Sequence, residues 1–302
     1  MGYKYKVFGL VIDSELEIPG LYKSDDSTDI TISFGTLPET LGEKSHKKVF
    51  YEALDNQFLL KLDRIGKIYA ENGNKIVIDN AKSVGIEDIR LYLFGTVIGA
   101  IAHQRNLIPL HTSAISYDGK AILFGGNSGA GKSSIIAELN KRGFPIIGDD
   151  TILVNKDKEG NFFTYHGAPE IKLWQDLAKD MNHFGNDRYQ ILDKEKYRYN
   201  LKVDNNDSKY PIVRLYNISS LADKDPEIRE FKPLHKVKSV KNNTYRLRIV
   251  YYTGNKVNHF MLASEFAQKI SMKNIIRPRE YINPSIIADM ILKDLEHDYG
   301  KA

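Results

Sequence analysis

The run Gly126-Asn127-Ser128-Gly129-Ala130-Gly131-Lys132-Ser133 fits the pattern G-x-x-x-x-G-K-[ST], and Ser134 follows it. Glycines at these positions let a short loop turn its backbone N–H groups inward around phosphate oxygens, in conformations that a Cβ would obstruct. A lysine at this spacing reaches the β and γ phosphates of a nucleotide, and the next hydroxyl is placed to ligate Mg²⁺. By accident, fixed positions of this kind arise in a chain this long on the order of one time in a hundred. The frame around the run decides the matter: an apolar stretch, AILF, precedes it and a helix-like stretch, SIIAELNK, follows. Residues 126–134 are therefore expected to bind a nucleoside triphosphate.

Binding alone does not transfer a phosphoryl group, which also needs a carboxylate near the metal and a group that orients or deprotonates the acceptor. Asp149-Asp150 ends the apolar run Pro145-Ile146-Ile147-Gly148. Carboxylates at the C-terminal end of a strand stand where open α/β sheets hold their ligands. One of the pair is expected in the Mg²⁺ shell and its neighbour as the proton acceptor, with no choice between them. His111 closes the run Leu107-Ile108-Pro109-Leu110, just ahead of the loop strand. Glu170 and Lys172 lie in the apolar-flanked segment Pro169-Glu170-Ile171-Lys172-Leu173-Trp174, where a carboxylate can join a metal shell although a solvated pair is the ordinary reading.

These residues need elements to position them. Residues 3–78 read as strands separated by turn signals such as Leu54-Asp55-Asn56-Gln57 and Asn72-Gly73, and an antiparallel meander is expected. Residues 86–106 have helical apolar spacing, with Glu87 and Asp88 in the first turn and His103 and Arg105 in the last, as the helix dipole favours. A strand at 108–115, a turn at Tyr117-Asp118-Gly119, and a helix at 133–141 ended by Gly143 follow. Next comes a hairpin of 151–155 with 162–166 around Asp157-Lys158-Glu159-Gly160. Beyond it we expect a helix to about residue 184, loop over 187–210, strands at 212–218 and 245–252, and helices at 259–272 and 284–298, the last with Pro284 at its start.

Composition sets limits. The chain has 302 residues with 42% hydrophobic and 27% charged side chains, as in soluble globular proteins. A net charge of +4 is small for this length and argues for neither nucleic acid nor membrane as partner. Without cysteine there is no disulfide, thiolate metal site or catalytic thiol. The start, MGYKYKVFGLVIDSE, interleaves charge with apolar residues and lacks the core of a signal peptide, so a cytoplasmic location is expected. The uncharged part of the 86–106 helix is too short to span a bilayer. Lys232, Lys236, Lys238, Lys241, Arg246 and Arg248 form a basic region with no Asp or Glu between them. A solvated face is its ordinary reading, and attraction of an acidic peptide the functional one.

Taken in order, His111, G-G-N-S-G-A-G-K-S, A-E-L-N-K-R-G-F-P-I-I-G-D-D and P-E-I-K resemble the HPr kinase/phosphorylase family of P-loop serine kinases, similar in its core to phosphoenolpyruvate carboxykinase. The resemblance covers about residues 109–174. It implies an α/β fold with a P-loop kinase core of that type, an antiparallel β-rich N-terminal part at 1–82, and a core at 83–302 with C-terminal helices, the two packed as one unit. It also implies ATP and Mg²⁺: Lys132 and His111 on the phosphates, Ser133 and Glu170 on the metal with Asp150 beside them, and the general base within Asp149-Asp150. A family arginine corresponds to Arg198, with Arg188 and Arg214 in competition for the role. The chain lacks the separate N-terminal domain of full-length HPr kinase/phosphorylases and a clear match to the family's longer signature around the glutamate. The whole layout looks more like the kinases of lasso-peptide biosynthesis clusters, which phosphorylate a C-terminal serine of a precursor peptide. The expected partner is then a precursor peptide or small protein with an acceptor serine, and the resemblance allows a homo-oligomer. The alternatives are an HPr-type kinase/phosphorylase, a small-metabolite kinase, and a nucleotide-gated regulatory module. For the last, Asp157-x-x-Gly160 superficially matches a GTPase D-x-x-G, but Asn155-Lys156-Asp157-Lys158 does not fit N-K-x-D.

Overall fold

A computed structural model describes residues 2–80, 84–174, 188–190, 196–201, 207–222, 225–280 and 282–301. Strands β1 (Tyr3–Val7), β2 (Leu10–Ser14), β3 (Tyr22–Lys23), β4 (Ile30–Phe34), β5 (His46–Lys47), β6 (Tyr51–Leu54), β7 (Gln57–Leu62), β8 (Gly66–Glu71) and β9 (Lys75–Asn80) form one sheet in the order β3-β1-β2-β4-β9-β8-β7-β6-β5. The predicted turns are present, with Asn56 and Asn72 at positive φ between β6 and β7 and between β8 and β9. The sheet is not a simple meander, because β4 pairs in parallel with both β2 and β9. Alternation in β4, with Ile30 and Ile32 inward, allows either direction of pairing, so the sequence pattern could not distinguish them.

One face of this sheet buries α1 (Ile86–Tyr92) and α2 (Ile98–Gln104), joined by a π-helical turn (Leu93–Val97). Ile89, Leu93, Val97 and Ile101 form the apolar stripe that the spacing predicted. Each fully buried side chain of this size stabilises the fold by about 1.5–3 kcal/mol.

The chain then enters the second sheet through β10 (Ile108–Leu110) and β11 (Ser113–Tyr117), so the expected continuous strand is broken at His111-Thr112. β12 (Lys120–Gly126), α3 (Lys132–Lys141), β13 (Ile146–Gly148), β14 (Ile152–Lys156) and β15 (Phe162–Thr164) follow. β16 (Glu170–Trp174), β17 (Arg188–Gln190) and β18 (Lys196–Asn200) make a separate three-stranded sheet, where loop was expected over much of 187–210. The helix expected after Trp174 lies outside the described residues.

β19 (Tyr210–Ala222) is longer than predicted and runs parallel to β12. Thereafter come β20 (Glu227–Glu230), α4 (Pro233–Asn243), α5 (Leu247–Tyr252), α6 (Lys256–Lys269), β21 (Ser271–Pro278) and α7 (Pro284–Tyr299). The strand expected at 245–252 is a helix: its β-branched and aromatic residues bury Ile249 and Val250, so tertiary packing overrides a strand-like composition. β21 was missed because the helical pattern of α6 runs directly into it. Pro284 opens α7 as expected, and the Asn283 side chain accepts a hydrogen bond from Ser285 N–H.

The second sheet has the path β10-β14-β15-β19-β12-β11-β13, with β21 beside β19. α3 and α7 cover one face and α4 and α6 the other. Covered on both sides, Ala121 to Phe124 in β12 are all buried, which explains their continuous apolar run.

Candidate active site

β12 ends at Gly126, the loop crosses to Gly131, and α3 begins at Lys132. Gly126 is required twice over: its φ is +134°, and an added Cβ would lie 2.5 Å from the carbonyl oxygen of Ile218. At Gly129 (φ +81°) and Gly131 (φ +102°) no heavy atom lies within 4 Å of an added Cβ, so the backbone conformation alone calls for glycine. Two distant residues hold the loop. Asn243, the last residue of α4, accepts from Gly126 N–H at 2.7 Å. Arg277 in β21 donates to the carbonyls of Ala130 (3.0 Å) and Gly129 (3.3 Å).

The Lys132 side chain is 7% exposed and bends back over the loop, donating to Gly126 O at 2.8 Å and Asn127 O at 3.3 Å. Its ammonium also lies 3.3 Å from His111 Nε2. Lysine can only donate, so Nε2 is the acceptor and the imidazole proton sits on Nδ1. Nδ1 in turn faces Asp150, 3.0 Å from its carbonyl oxygen and 3.3 Å from Oδ1. Burial pushes the His111 pKa down, with Lys132 adding to the effect and Asp150 opposing it, so the ring is held neutral.

The two aspartates have different surroundings. Asp149 Oδ1 accepts from Ser113 Oγ (2.6 Å) and Ser133 Oγ (3.0 Å), while Oδ2 accepts from Ser133 Oγ (3.1 Å) and Lys172 N–H (3.0 Å). Asp150 lies at φ +71°, spanned by a bond from Thr151 N–H to the Asp149 carbonyl at 2.9 Å. This is a γ-turn of the rare, strained hand, a conformation that clusters at functional positions. Asp150 Oδ2 accepts from Lys172 Nζ at 3.0 Å. Burial opposes charge on Lys172, but Asp150 and Glu170 more than offset it and raise its pKa.

Glu170 is 3% exposed and belongs to a layer behind the cleft. Its Oε2 accepts from Arg90 Nε at 2.9 Å and lies 3.5 Å from Arg198 Nη1, while Oε1 is 3.9 Å from Lys172 Nζ. Arg198 stands opposite Lys172 across β16 and β18 and also pairs with Glu87, so it reaches Glu170 rather than the loop. Arg188 lies in β17, and Arg214 is bound into the α7 side of the sheet. The expected metal set of Ser133, Asp150 and Glu170 is therefore not gathered at one point; the carboxylate at Ser133 is Asp149. Among the described residues, no three His, Asp or Glu side chains converge on a metal-sized position.

A cleft of about 100 Å³ opens between these groups, lined by Lys132, Ser133, Ser134, Asp149, Asp150 and Lys172, with Ser128 and Trp174 also on its wall. Sequence reasoning missed Ser113, Arg90, Asn243, Tyr245 and Arg277, and read Lys172 as solvated. The Tyr245 ring lies 5.7 Å from the His111 ring. It fits against the π-helical turn, where a Cβ on Gly95 would come within 2.8 Å of its hydroxyl. No motif marks these residues, and Ser113 follows two other polar residues, His111 and Thr112, so the sequence did not single it out. Asp157 and Gly160 form the tight turn between β14 and β15, with Gly160 N–H bonded to the Asp157 carbonyl, as the hairpin reading required.

No family model matches this chain, and no curated protein sequence matches it. One solved structure similar to it is the Hpr(Ser) kinase/phosphatase from Coxiella burnetii, at 13% identity and a TM-score of 0.34, over 64% of this chain and 93% of the other. A likeness of this size identifies neither a family nor an activity.

Proposed function

We propose that this protein is a P-loop phosphotransferase that binds ATP with Mg²⁺ and transfers the γ-phosphoryl group to a serine hydroxyl of a peptide or small protein. The observation that carries the reading is Asp149. It sits at a strand end and is hydrogen-bonded to Ser133, the hydroxyl that directly follows the loop lysine. Hydroxyl and carboxylate oxygens are the hard donors that Mg²⁺ selects, and the unobstructed glycines leave the loop face open to phosphate, so the residues fit both groups. When bound, Mg²⁺ supplies charge neutralisation at the β and γ phosphates.

The chain's own residues divide the remaining work. Lys132 turns from the loop carbonyls to the phosphates. Ser133 and Asp149 hold the metal side. Neutral His111 keeps Lys132 and Asp150 in register through its two ring nitrogens. Asp150 takes the proton as the acceptor O–H bond breaks, the new O–P bond forms and the bond from the γ phosphorus to the leaving oxygen breaks. Catalysis comes from positioning and electrostatics, as this chemistry demands. Lys172, at 3.0 Å from Asp150, orients that carboxylate. Glu170 and Arg198 support Lys172 from behind.

For the acceptor, the layout of the sequence favours the C-terminal serine of a lasso-peptide precursor. The exposure of Lys232, Lys238, Arg246 and Arg248 on or beside α4 and α5, with Arg246 against the Tyr245 ring, supports an acidic or carboxylate-bearing peptide. The protein is to be incubated with a precursor peptide ending in serine, ATP and Mg²⁺, beside Lys132→Ala, and the peptide weighed by intact mass spectrometry. A gain of one phosphate with the unmodified protein alone, lost when the terminal serine is removed, is the expected result. No gain, despite ATP binding, rejects this acceptor and moves HPr-like proteins and small metabolites forward. Strict preference for GTP points instead to the regulatory module.

A further inference from the structure

Beyond the loop, the cleft continues into a second cavity of about 220 Å³, twice the volume of the first and of opposite chemistry. Its walls are mainly apolar, with Ala130, Ile135, Ile282 and Ile287, and the charged Arg277, Arg279 and Glu280 also line it. Gly129, Gly131 and Ser134 line both cavities, so the loop and the first turn of α3 form their common partition. Polarity along this path is set by the lysine. Lys132, Ser133 and Asp149 mark the end where β and γ phosphates and metal belong, so the α phosphate and whatever is attached to it must leave past Ser134. The apolar cavity is what lies there.

We infer that the cavity between the loop, β21 and the start of α7 holds the nucleoside of ATP, with the base against Ile282 and Ile287. An aromatic base is a flat, weakly hydrated group, and an apolar slot beside a polar anchor is the usual way proteins hold one. Arg277 adds a second contribution. Its guanidinium is fixed by donation to Ala130 O at 3.0 Å and Gly129 O at 3.3 Å, and a guanidinium held in one plane is a stacking surface for an aromatic ring. Those same bonds tie the loop to β21, so one side chain shapes both halves of the nucleotide site. The inference rests on the phosphate-loop reading above, and it assigns Ile282 and Arg277 as determinants of nucleotide binding that no sequence motif marks.

Calorimetric binding of ATP and of inorganic tripolyphosphate, each with Mg²⁺, separates the two readings, because tripolyphosphate has no nucleoside. Ile282→Trp fills the cavity and should weaken ATP at least about tenfold while leaving tripolyphosphate unchanged. Ile282→Ala, which adds no bulk, should weaken ATP several-fold and again spare tripolyphosphate. Unchanged ATP binding in both variants overturns the assignment of the cavity and leaves the phosphate loop standing. Equal weakening of both ligands in both variants also overturns it, since the cavity then acts only through the loop. Failure of the unmodified protein to bind either ligand removes the phosphate-loop reading and this inference together.

Discussion

Two clusters of charged and polar side chains stand at the second sheet, and they are put to different uses. In the cleft, Lys132 and Lys172 meet Asp149, Asp150 and His111. At the other, Arg214 in β19 and Lys273 in β21 meet Asp294 and Asp298 of α7. There Asp294 accepts from Arg214 (2.9 Å), Lys273 (2.7 Å) and the Tyr216 hydroxyl (2.5 Å). Exposure does not separate the two, since the Asp298 side chain is 28% exposed and that of Asp150 26%. Position does. The α7 cluster comes from within regular strands and a helix, and its bonds clamp that helix to the sheet. Every cleft residue but Lys172 sits where an element starts, stops or breaks: His111 between two strands, Lys132 at the first position of α3, Asp149 after β13, Asp150 in a strained turn. Side chains at such points face space that an element cannot fill, and that space is the cleft to which the proposal assigns the substrate.

The sharpest way to break this contrast is Lys132→Ala, which should reduce phosphoryl transfer by about a thousandfold or more without lowering the melting temperature. A variant that melts early would make Lys132 a structural residue like Arg214. Asp150→Asn should cut turnover by about 10²- to 10⁴-fold with ATP binding kept within a few-fold. Asp149→Asn should also cut turnover strongly, with the Mg²⁺ requirement of the residual activity shifted upward. Retained turnover in both variants would sink the roles given to the pair. In the other cluster the readouts exchange places. Asp294→Ala leaves the buried Arg214 short of a partner and should cost about 3 kcal/mol of stability by urea unfolding, with turnover per folded molecule unchanged.

Two further histidines give the smallest effect and extend the comparison to pH. Burial pushes His103 down to about 3, aided by His259, and burial with Lys241 nearby pushes His259 down to about 4. Unfolded, each takes its proton near 6.5. The unfolded state therefore binds more protons below that value, and native stability falls as pH drops from about 6.5 towards 4, by at most about 1.4 kcal/mol per unit for each ring. Unfolding midpoints followed from pH 7.5 to 4.5 should show this loss, with no contribution from these groups above pH 7.5. His259→Gln should flatten the slope, and an unchanged slope in that variant would assign the acid sensitivity elsewhere.

Much of the cleft was legible because its polar groups lie in one short stretch whose spacing is fixed by the geometry of loop and strand. The glycine positions, Lys132, Ser133 and the aspartate pair needed no knowledge of distant chain. What the sequence could not show is which remote residues complete them. Asn243 acts through one hydrogen bond to loop backbone and Arg277 through two, and any residue with a suitable donor or acceptor would look the same in sequence. Glu170 read as a metal ligand because an isolated carboxylate carries no sign of Arg90 and Arg198, which reach it from α1 and β18. Among the elements, α5 was mistaken for a strand because its composition suits either state, and the parallel pairs of the first sheet left no mark on an alternating pattern.

The anchoring of the loop by Asn243 and Arg277 has a consequence for the order in which the protein comes into being. Their bonds to Gly126 and Ala130 join residues 117 and 147 positions apart. A ribosome adding roughly 5–20 residues per second delivers the motif many seconds before either anchor. Until residue 243 has emerged the glycine-rich segment has the right sequence but neither hold on its shape, and until residue 277 it lacks the second. The glycine-rich loop thus takes its anchored shape late in synthesis, and the strands of the first sheet with α1 and α2, built wholly from residues that precede the motif, have all emerged before the loop can be held.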